Sequence, residues 1–259
     1  MDNFFTVQPT HPEEPFLLAA DIDGTLLGDE PGETMLKTFV KKHASAFRLA
    51  YVTGRYRFSV LQLVEAGRLP RPDYICSDVG TELFDLHDPQ NNLGQKFWSQ
   101  VAPEWNLEAI YLRGEGEGVW RQDFGESQPP FQAGFFWNGN PETLEAFFAR
   151  LGKDDSYHIY PSYGEFIDVL PAPLGKGNVV RFLQKELGVT ESRVIVAGDS
   201  GNDRQMFETG FKGIIPVNAL EELKEVASQP WHYHSPLPAA RGVFDGLRHF
   251  GLIDGFHGD

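Results

Sequence analysis

Asp21 and Asp23 stand one residue apart at the end of an apolar run, in the stretch LLAADIDGTLLGDE over residues 17–30. In a strand, residues i and i+2 share a face, so the two carboxylates can converge on one spot if the chain has not yet turned. Like charges that close need a cation or a shared proton. A hard divalent ion such as Mg²⁺ takes oxygen ligands in octahedral geometry and usually keeps waters plus a phosphate oxygen. The pair therefore points to a metal, and through it to phosphate chemistry.

A second acidic cluster supports this. VIVAGDSGND puts Asp199 just past another apolar run and Asp203 four residues later, with Gly198, Ser200 and Gly201 allowing a tight turn into a helix. If the two strands are neighbours, Asp199 and Asp21 converge. Two further strand ends supply what a phosphate needs. YVTGRY offers the Thr53 hydroxyl and the Gly54 N–H at a strand-to-helix turn, where amides and the helix dipole attract an anion. PLGKGN offers Lys176 between two glycines at a helix start, a point charge for a phosphoryl oxygen.

The elements that must position these groups follow from the apolar pattern. FLLAA, FRLAYV, YICSDV and RVIVA each run into polar or small residues. Continuous apolar runs of this length suit strands covered on both faces of a parallel sheet, where ligands gather at the carboxyl ends. Helical patterns lie between them, over 33–44, 56–67 and 177–188, the last closing on Gly188. The alternation predicts a doubly wound α/β core. From 83 to 169 the chain changes character, with aromatics, Gly and Pro, the strand candidates FQAGFFWN and YHIYPSYGEFIDVL, and one helix, PETLEAFFARL. We expect a loose leader over 1–15, core segments over 16–82 and 170–259, and an inserted α+β module between them.

DxDGT, TGR, a lone lysine before a helix, and GDSGND occur in that order. With these motifs the chain resembles the haloacid dehalogenase superfamily of phosphohydrolases. The position of the insertion implies the C2 type of cap on a Rossmann-like core. PDYICSDVGTEL, GEFIDVLP ahead of GKGN, and the tail GVFDGLRHFGLI resemble the sucrose-phosphate phosphatase group, including its relative mannosylfructose-phosphate phosphatase. Where that group usually has a basic residue in a KxS-like strand, this chain reads Gln132-Ala133-Gly134.

The resemblance implies a residue-by-residue reading. Asp21 becomes the nucleophile and carries an aspartyl phosphate. Asp23 is the general acid and then the base; a dehalogenase would not need it. Mg²⁺ takes the Asp21 and Asp199 carboxylates and the Asp23 backbone carbonyl. Thr53, Gly54, Lys176 and Asn202 hold the phosphate, and Asp203 orients the metal shell or Lys176. Arg55, Glu165 and Asp168 are candidates for substrate contacts. The implied reaction is hydrolysis of a sugar phosphate, sucrose 6-phosphate first. Alternatives are mannosylfructose phosphate, another glycoside or hexose phosphate, and phosphotransfer of the phosphomannomutase kind.

Bulk properties limit the partners. The 37 acidic and 22 basic residues leave a net charge of −15, which disfavours nucleic acid and anionic membrane surfaces. No apolar segment approaches the ~20 residues of a membrane helix. The single cysteine, Cys76, fits a reducing compartment, so a cytoplasmic enzyme that is a monomer or weak dimer is expected. Cys76 itself should be buried and inert. RGEGEG over 113–118 reads as an exposed turn, and His232 and His234 read as packing or surface residues rather than a metal pair. Of Trp98, Trp105, Trp120, Trp137 and Phe135, most should fill the module's core and one or two at most should touch substrate.

Overall fold

The computed structural model describes residues 8–10, 15–100, 104–125 and 128–254. In chain order the strands are β1 (Gln8–Pro9), β2 (Phe16–Ala20), β3 (Phe47–Val52), β4 (Tyr74–Ser77), β5 (Glu82–Asp85), β6 (Val119–Arg121), β7 (Ala133–Trp137), β8 (Tyr157–Ser162), β9 (Phe166–Pro171), β10 (Val194–Ala197), β11 (Lys212–Ile215), β12 (His232–His234) and β13 (Ile253–Asp254). The α-helices are α1 (Glu30–His43), α2 (Arg57–Glu65), α3 (Leu93–Trp98), α4 (Leu107–Gly114), α5 (Pro141–Leu151), α6 (Lys176–Leu187), α7 (Arg204–Phe207), α8 (Glu221–Lys224) and α9 (Ala239–His249).

The apolar runs become strands because both of their faces are covered. FLLAA and VIVA are buried at every position, which suits the interior of a sheet flanked by helices. Helix ends carry recognisable signals. Asp29 caps α1 by accepting from the Gly32 N–H, and the last turn of that helix holds Lys41, Lys42 and His43. Gly188 closes α6 in the left-handed conformation.

Seven strands form one sheet in the order β12-β11-β10-β2-β3-β4-β5. All neighbours are parallel except β4 and β5. From β2 the chain first builds outward through β3 and β4, then returns to the other side through β10 and β11. β2 therefore lies at the reversal of strand order, where α/β sheets place their ligands. Apolar side chains pack on both faces, around Phe39, Leu49 and Phe244 on one and Val179, Val196 and Phe207 on the other.

A second sheet, order β6-β7-β9-β8, is wholly antiparallel. Phe135, Trp137, Ile167 and Val169 pack in one cluster with Ile110 of α4 and Phe147 of α5. The alternate positions, Gly134 and Phe136 on β7 and Phe166 and Asp168 on β9, belong to the opposite face.

Three details differ from the sequence reading. β5 runs across the expected boundary at 83, from Glu82 to Asp85, as an antiparallel edge of the large sheet, and Leu93 and Phe97 of α3 are buried in that sheet's core, so the core extends further than expected. The single run expected over 157–170 is two strands joined at Tyr163-Gly164, both with positive φ. Of the leader, residues 1–7 and 11–14 lie outside the described residues, while β1 pairs with β13.

The side readings also find their places. Cys76 is fully buried, and burial pushes its thiol up. His232 stacks edge-on against Phe207, and His234 bonds the Ala227 carbonyl at 2.8 Å. No helix among the described residues is long and apolar enough to cross a membrane.

Candidate active site

β2, β3 and β10 are adjacent, so their carboxyl ends deliver Asp21, Thr53 and Asp199 to one place. Lys176, the first residue of α6, reaches the same place and is 1% exposed. Its ammonium donates to Asp21 Oδ1 at 2.9 Å, Asp203 Oδ1 at 2.6 Å and Asn202 Oδ1 at 2.8 Å. All three donors of a lysine are thus used. Burial alone would push this ammonium down, but Asp203 and Asp21 outweigh it and hold it above the usual lysine range.

Asp203 is occupied on both oxygens. Oδ1 takes Lys176, and Oδ2 accepts the N–H groups of Asp199 and Ser200 at 2.9 and 3.0 Å. Its role in this geometry is to shape the loop and anchor the lysine. Asp199 accepts from Thr25 Oγ1 at 3.1 Å and from the Tyr163 hydroxyl at 3.4 Å. Gly24, at φ +74, lies so close that a Cβ would stand 2.2 Å from Asp199 Oδ2. The glycine of DxDGT is there to let that carboxylate lie across the backbone.

Asp21, Asp199 and Asp203 each offer an oxygen within 4.8 Å of the others. Three buried carboxylates share one ammonium, leaving an excess of negative charge. Burial pushes Asp21 up to about 7, with Lys176 pulling it down and Asp203 pushing it up. Burial likewise pushes Asp199 up to about 8, with Asp203 and Asp21 adding to it. An all-oxygen donor set of this charge fits a hard divalent cation. With Asp203 spent on Lys176 and two amides, the carboxylates free to hold one are Asp21 and Asp199.

The opposite side of the cleft floor is built by two loops. Thr53 is buried, its N–H donates to the Cys76 carbonyl at 2.9 Å, and its Oγ1 accepts from the Arg55 N–H at 3.1 Å. Gly54 is exposed beside Asn202, whose side-chain nitrogen would be 3.6 Å from a Cβ there. Arg55 forks onto Asp23, with Nε donating to Oδ2 at 2.6 Å and the terminal nitrogen to Oδ1 at 2.7 Å. A third bond, to Ser59 Oγ at 2.9 Å, fixes the fork. Arg55 therefore positions Asp23 here.

The motif SDVGTEL supplies a brace. Asp78, Val79 and Gly80 all have positive φ, at 52, 57 and 76°. Asp78 N–H bonds the Arg55 carbonyl and Val79 N–H the Thr53 carbonyl, both at 3.0 Å. Gly80 lies against the start of α6, where a Cβ would be 2.6 Å from the Lys176 backbone nitrogen. Strain at non-glycine positions persists where the surroundings over-determine it, and this loop ties the threonine loop to the lysine helix.

The cap completes the cleft, a cavity of about 240 Å³. Asp21, Asp23, Thr53, Gly54, Arg55, Val79 and Asn202 line it from the core, and Gln122, Phe124, Gln132, Ser162, Tyr163, Phe166 and Asp168 from the cap. Asp168 is 5% exposed and takes the Gln132 Nε2 at 2.7 Å. Burial pushes it up to about 6, against the pull of Gln132 and Lys176. A larger cavity, about 520 Å³, opens beside Trp105, Arg113 and Asp154 and contains none of these groups.

Of the sequence candidates, Asp21, Asp23, Thr53, Gly54, Arg55, Lys176, Asp199, Asn202, Asp203 and Asp168 come together. Glu165 does not: it is exposed at the β8–β9 turn, outside the residues that line the cleft. The aromatics of the cleft are Phe124, Tyr163 and Phe166 rather than any of the five singled out. Phe135 and Trp137 are cap core, Trp105 packs on it, Trp120 is half exposed, and Trp98 packs on the large sheet's core. Sequence reasoning missed Thr25, Gln122 and Tyr163, whose types carry no signal until tertiary contacts form. Thr25 sits inside DxDGT and could have been found from that motif.

A family model described as sucrose-6F-phosphate phosphohydrolase matches residues 14–251. The chain is 31% identical over 242 residues to the mannosylfructose-phosphate phosphatase of Agrobacterium fabrum, covering 91% of this chain and 97% of that one. It is 35% identical over 244 residues to a phosphoglycolate phosphatase of Archaeoglobus fulgidus, covering 93% and 99%. Among solved structures, it is similar to the sucrose-phosphatase of Synechocystis in complex with sucrose and phosphate, with a TM-score of 0.81 and 27% identity over 92% of this chain and 98% of that one.

Proposed function

The chain belongs to the sucrose-6F-phosphate phosphohydrolase family of the haloacid dehalogenase superfamily and is a phosphoric monoester hydrolase acting on a sugar phosphate; from that premise we propose that it is a Mg²⁺-dependent phosphatase that releases sucrose and inorganic phosphate from sucrose 6-phosphate. The observation that carries this reading is Asp21, buried at the end of the central strand, bonded to Lys176 and facing the cap across the cleft. The likeness to a sucrose-phosphatase supports the sugar. The 31% identity to a mannosylfructose-phosphate phosphatase favours that disaccharide as the second reading.

In this mechanism one Asp21 oxygen attacks phosphorus while the bond to the sugar oxygen breaks. Asp23 gives its proton to the departing oxygen, and the phosphoryl group rests on Asp21. Arg55 holds both Asp23 oxygens, yet each keeps a second lone pair for the proton. Asp23 then takes a proton from water as the water oxygen attacks phosphorus, the Asp21–phosphorus bond breaks and phosphate leaves. The Thr53 hydroxyl, the Gly54 N–H and the Asn202 side-chain nitrogen hold the equatorial oxygens, where charge spreads in the transition state, while Lys176, its three donors held by Asp21, Asp203 and Asn202, lends positive charge beside the nucleophile. Asp21, Asp199 and the Asp23 carbonyl would hold Mg²⁺, which supplies positive charge against the phosphoryl oxygens.

The test is phosphate release with sucrose 6-phosphate, mannosylfructose phosphate, trehalose 6-phosphate and glucose 6-phosphate, for wild type and Asp21→Asn. We expect sucrose 6-phosphate to lead and Asp21→Asn to lose about a thousandfold or more in kcat with its circular dichroism intact. Unchanged turnover in that variant removes Asp21 as nucleophile.

A further inference from the structure

The cap wall of the cleft holds a buried acceptor with no donor to accept from. Gln132 is 3% exposed and lines the cleft. Its Nε2 donates to Asp168 Oδ1 at 2.7 Å. That bond fixes the amide, because the flipped amide would set an oxygen against a carboxylate. Gln132 Oε1 is left buried with no hydrogen-bond partner. A buried acceptor without a donor is costly to keep, and a ligand hydroxyl is the group that would relieve it.

Gln122 stands half-buried beside it. Its Nε2 donates to the Phe135 carbonyl at 3.3 Å, and its Oε1 stands over Gly134, where a Cβ would come within 2.8 Å of it. Gly134 is opposite Asp168 across β7 and β9, so the missing side chain keeps that space for Gln122 and the Phe124 ring. Among the described residues that line the cleft, Arg55 is the one cation, and Asp23 already holds its fork. The wall therefore presents oxygen acceptors and a carboxylate, with no spare positive charge.

We propose that Gln132, Asp168 and Gln122 form an acceptor wall that selects neutral, hydroxyl-rich leaving groups and rejects those carrying a carboxylate; this rests on the sugar-phosphate reading above. Hydroxyl donors satisfy Gln132 Oε1 and Asp168, whereas a substrate carboxylate meets Asp168 as a like charge with no cation to mediate. A site built to bond hydroxyls also discriminates strongly against analogues lacking them, since its buried acceptors are then left bare.

The experiment measures kcat/KM for sucrose 6-phosphate, glucose 6-phosphate, 6-phosphogluconate, phosphoglycolate and p-nitrophenyl phosphate. Glucose 6-phosphate and 6-phosphogluconate share the C6 phosphate and several hydroxyls and differ in the carboxylate and in ring against open chain, so the change in their ratio on Asp168→Asn isolates the charge. Wild type should prefer glucose 6-phosphate by about a hundredfold. Asp168→Asn, which keeps the shape and removes the charge, should narrow that ratio by about tenfold or more. Gln132→Leu should lower the ratio of sucrose 6-phosphate to p-nitrophenyl phosphate by about tenfold. Wild-type ratios near unity between the two C6 phosphates, or ratios unmoved in both folded variants, overturn the wall while leaving the phosphatase standing. Turnover of p-nitrophenyl phosphate with no release from any sugar phosphate overturns both.

Discussion

Replacing Lys176 by Met tests the electrostatic core of the site. Met keeps most of the length and apolar stem of lysine but removes the ammonium that bonds Asp21 at 2.9 Å and Asp203 at 2.6 Å. Removing one partner from a buried ion pair costs about 3–5 kcal/mol. The ceiling follows from an alternative open to the protein, which is to protonate a carboxylate instead. With an ordinary carboxyl near 3.8, holding one proton at pH 7.5 costs about 5 kcal/mol at about 1.36 kcal/mol per unit. The expected loss is therefore about 3–5 kcal/mol, a large part of the ~5–15 kcal/mol of a typical native state. In urea, followed by circular dichroism, the midpoint should fall by about 1–2 M. Phosphate release should fall about a hundredfold or more, because the charge that balances and positions the nucleophile Asp21 is gone. A midpoint shift below about 0.3 M, worth less than about 1 kcal/mol, would mean that the carboxylates are hydrated and that burial does not govern this site.

Three other perturbations probe separate links. Gly80→Ala sets a Cβ 2.6 Å from the Lys176 backbone nitrogen at a φ of +76°, and backbone cannot move aside like a flexible side chain. It should destabilise by about 2 kcal/mol or more and lower kcat, both read from urea melts and phosphate release. Mg²⁺ at about a hundred times its Kd should raise the unfolding free energy by about 2.7 kcal/mol, a gain that Asp199→Ala should abolish in thermal melts. Asp168 is held near 6 against an ordinary 3.8, so the folded state keeps its proton longer than the unfolded one. Its contribution falls as pH rises from below 3.8 through about 6, by about 3 kcal/mol in all. Asp168→Asn should therefore be more stable than wild type at pH 8 and equal to it near pH 3, measured by urea midpoints across pH.

The core of the site was legible in the sequence because its signals are local. FLLAA, FRLAYV and RVIVA are continuous apolar runs ending in Asp21, Thr53 and Asp199, and a run of that kind can be satisfied only inside a covered sheet. Once β2 lies between β10 and β3, those three residues have no other place to go. The cap was much less legible. A short antiparallel strand alternates faces, so one residue of misregister exchanges cleft for core. Trp137 and Phe135 drew attention by type, yet they lie on the helix-covered face, while Gly134 and Asp168 belong to the cleft face. Neither Gly134 nor Gln132 has a side chain that signals function without its neighbours.

What could not be read are the individual bonds that make the halves one site. Lys176 and Asp21 are separated by 155 residues, and Tyr163 reaches from the cap turn to Asp199. Glu222 Oε1 accepts both the Gly201 N–H of the core at 2.8 Å and the Tyr163 N–H of the cap at 3.3 Å. One carboxylate oxygen therefore links the loop carrying Asp199 to the cap tip that lines the cleft. Any separation of cap from core would break the Tyr163 bonds to Asp199 and Glu222 together. By covering Asp199, the cap tip keeps water from part of an acidic cluster that one lysine holds in check, and charges act on one another more strongly where water is kept out.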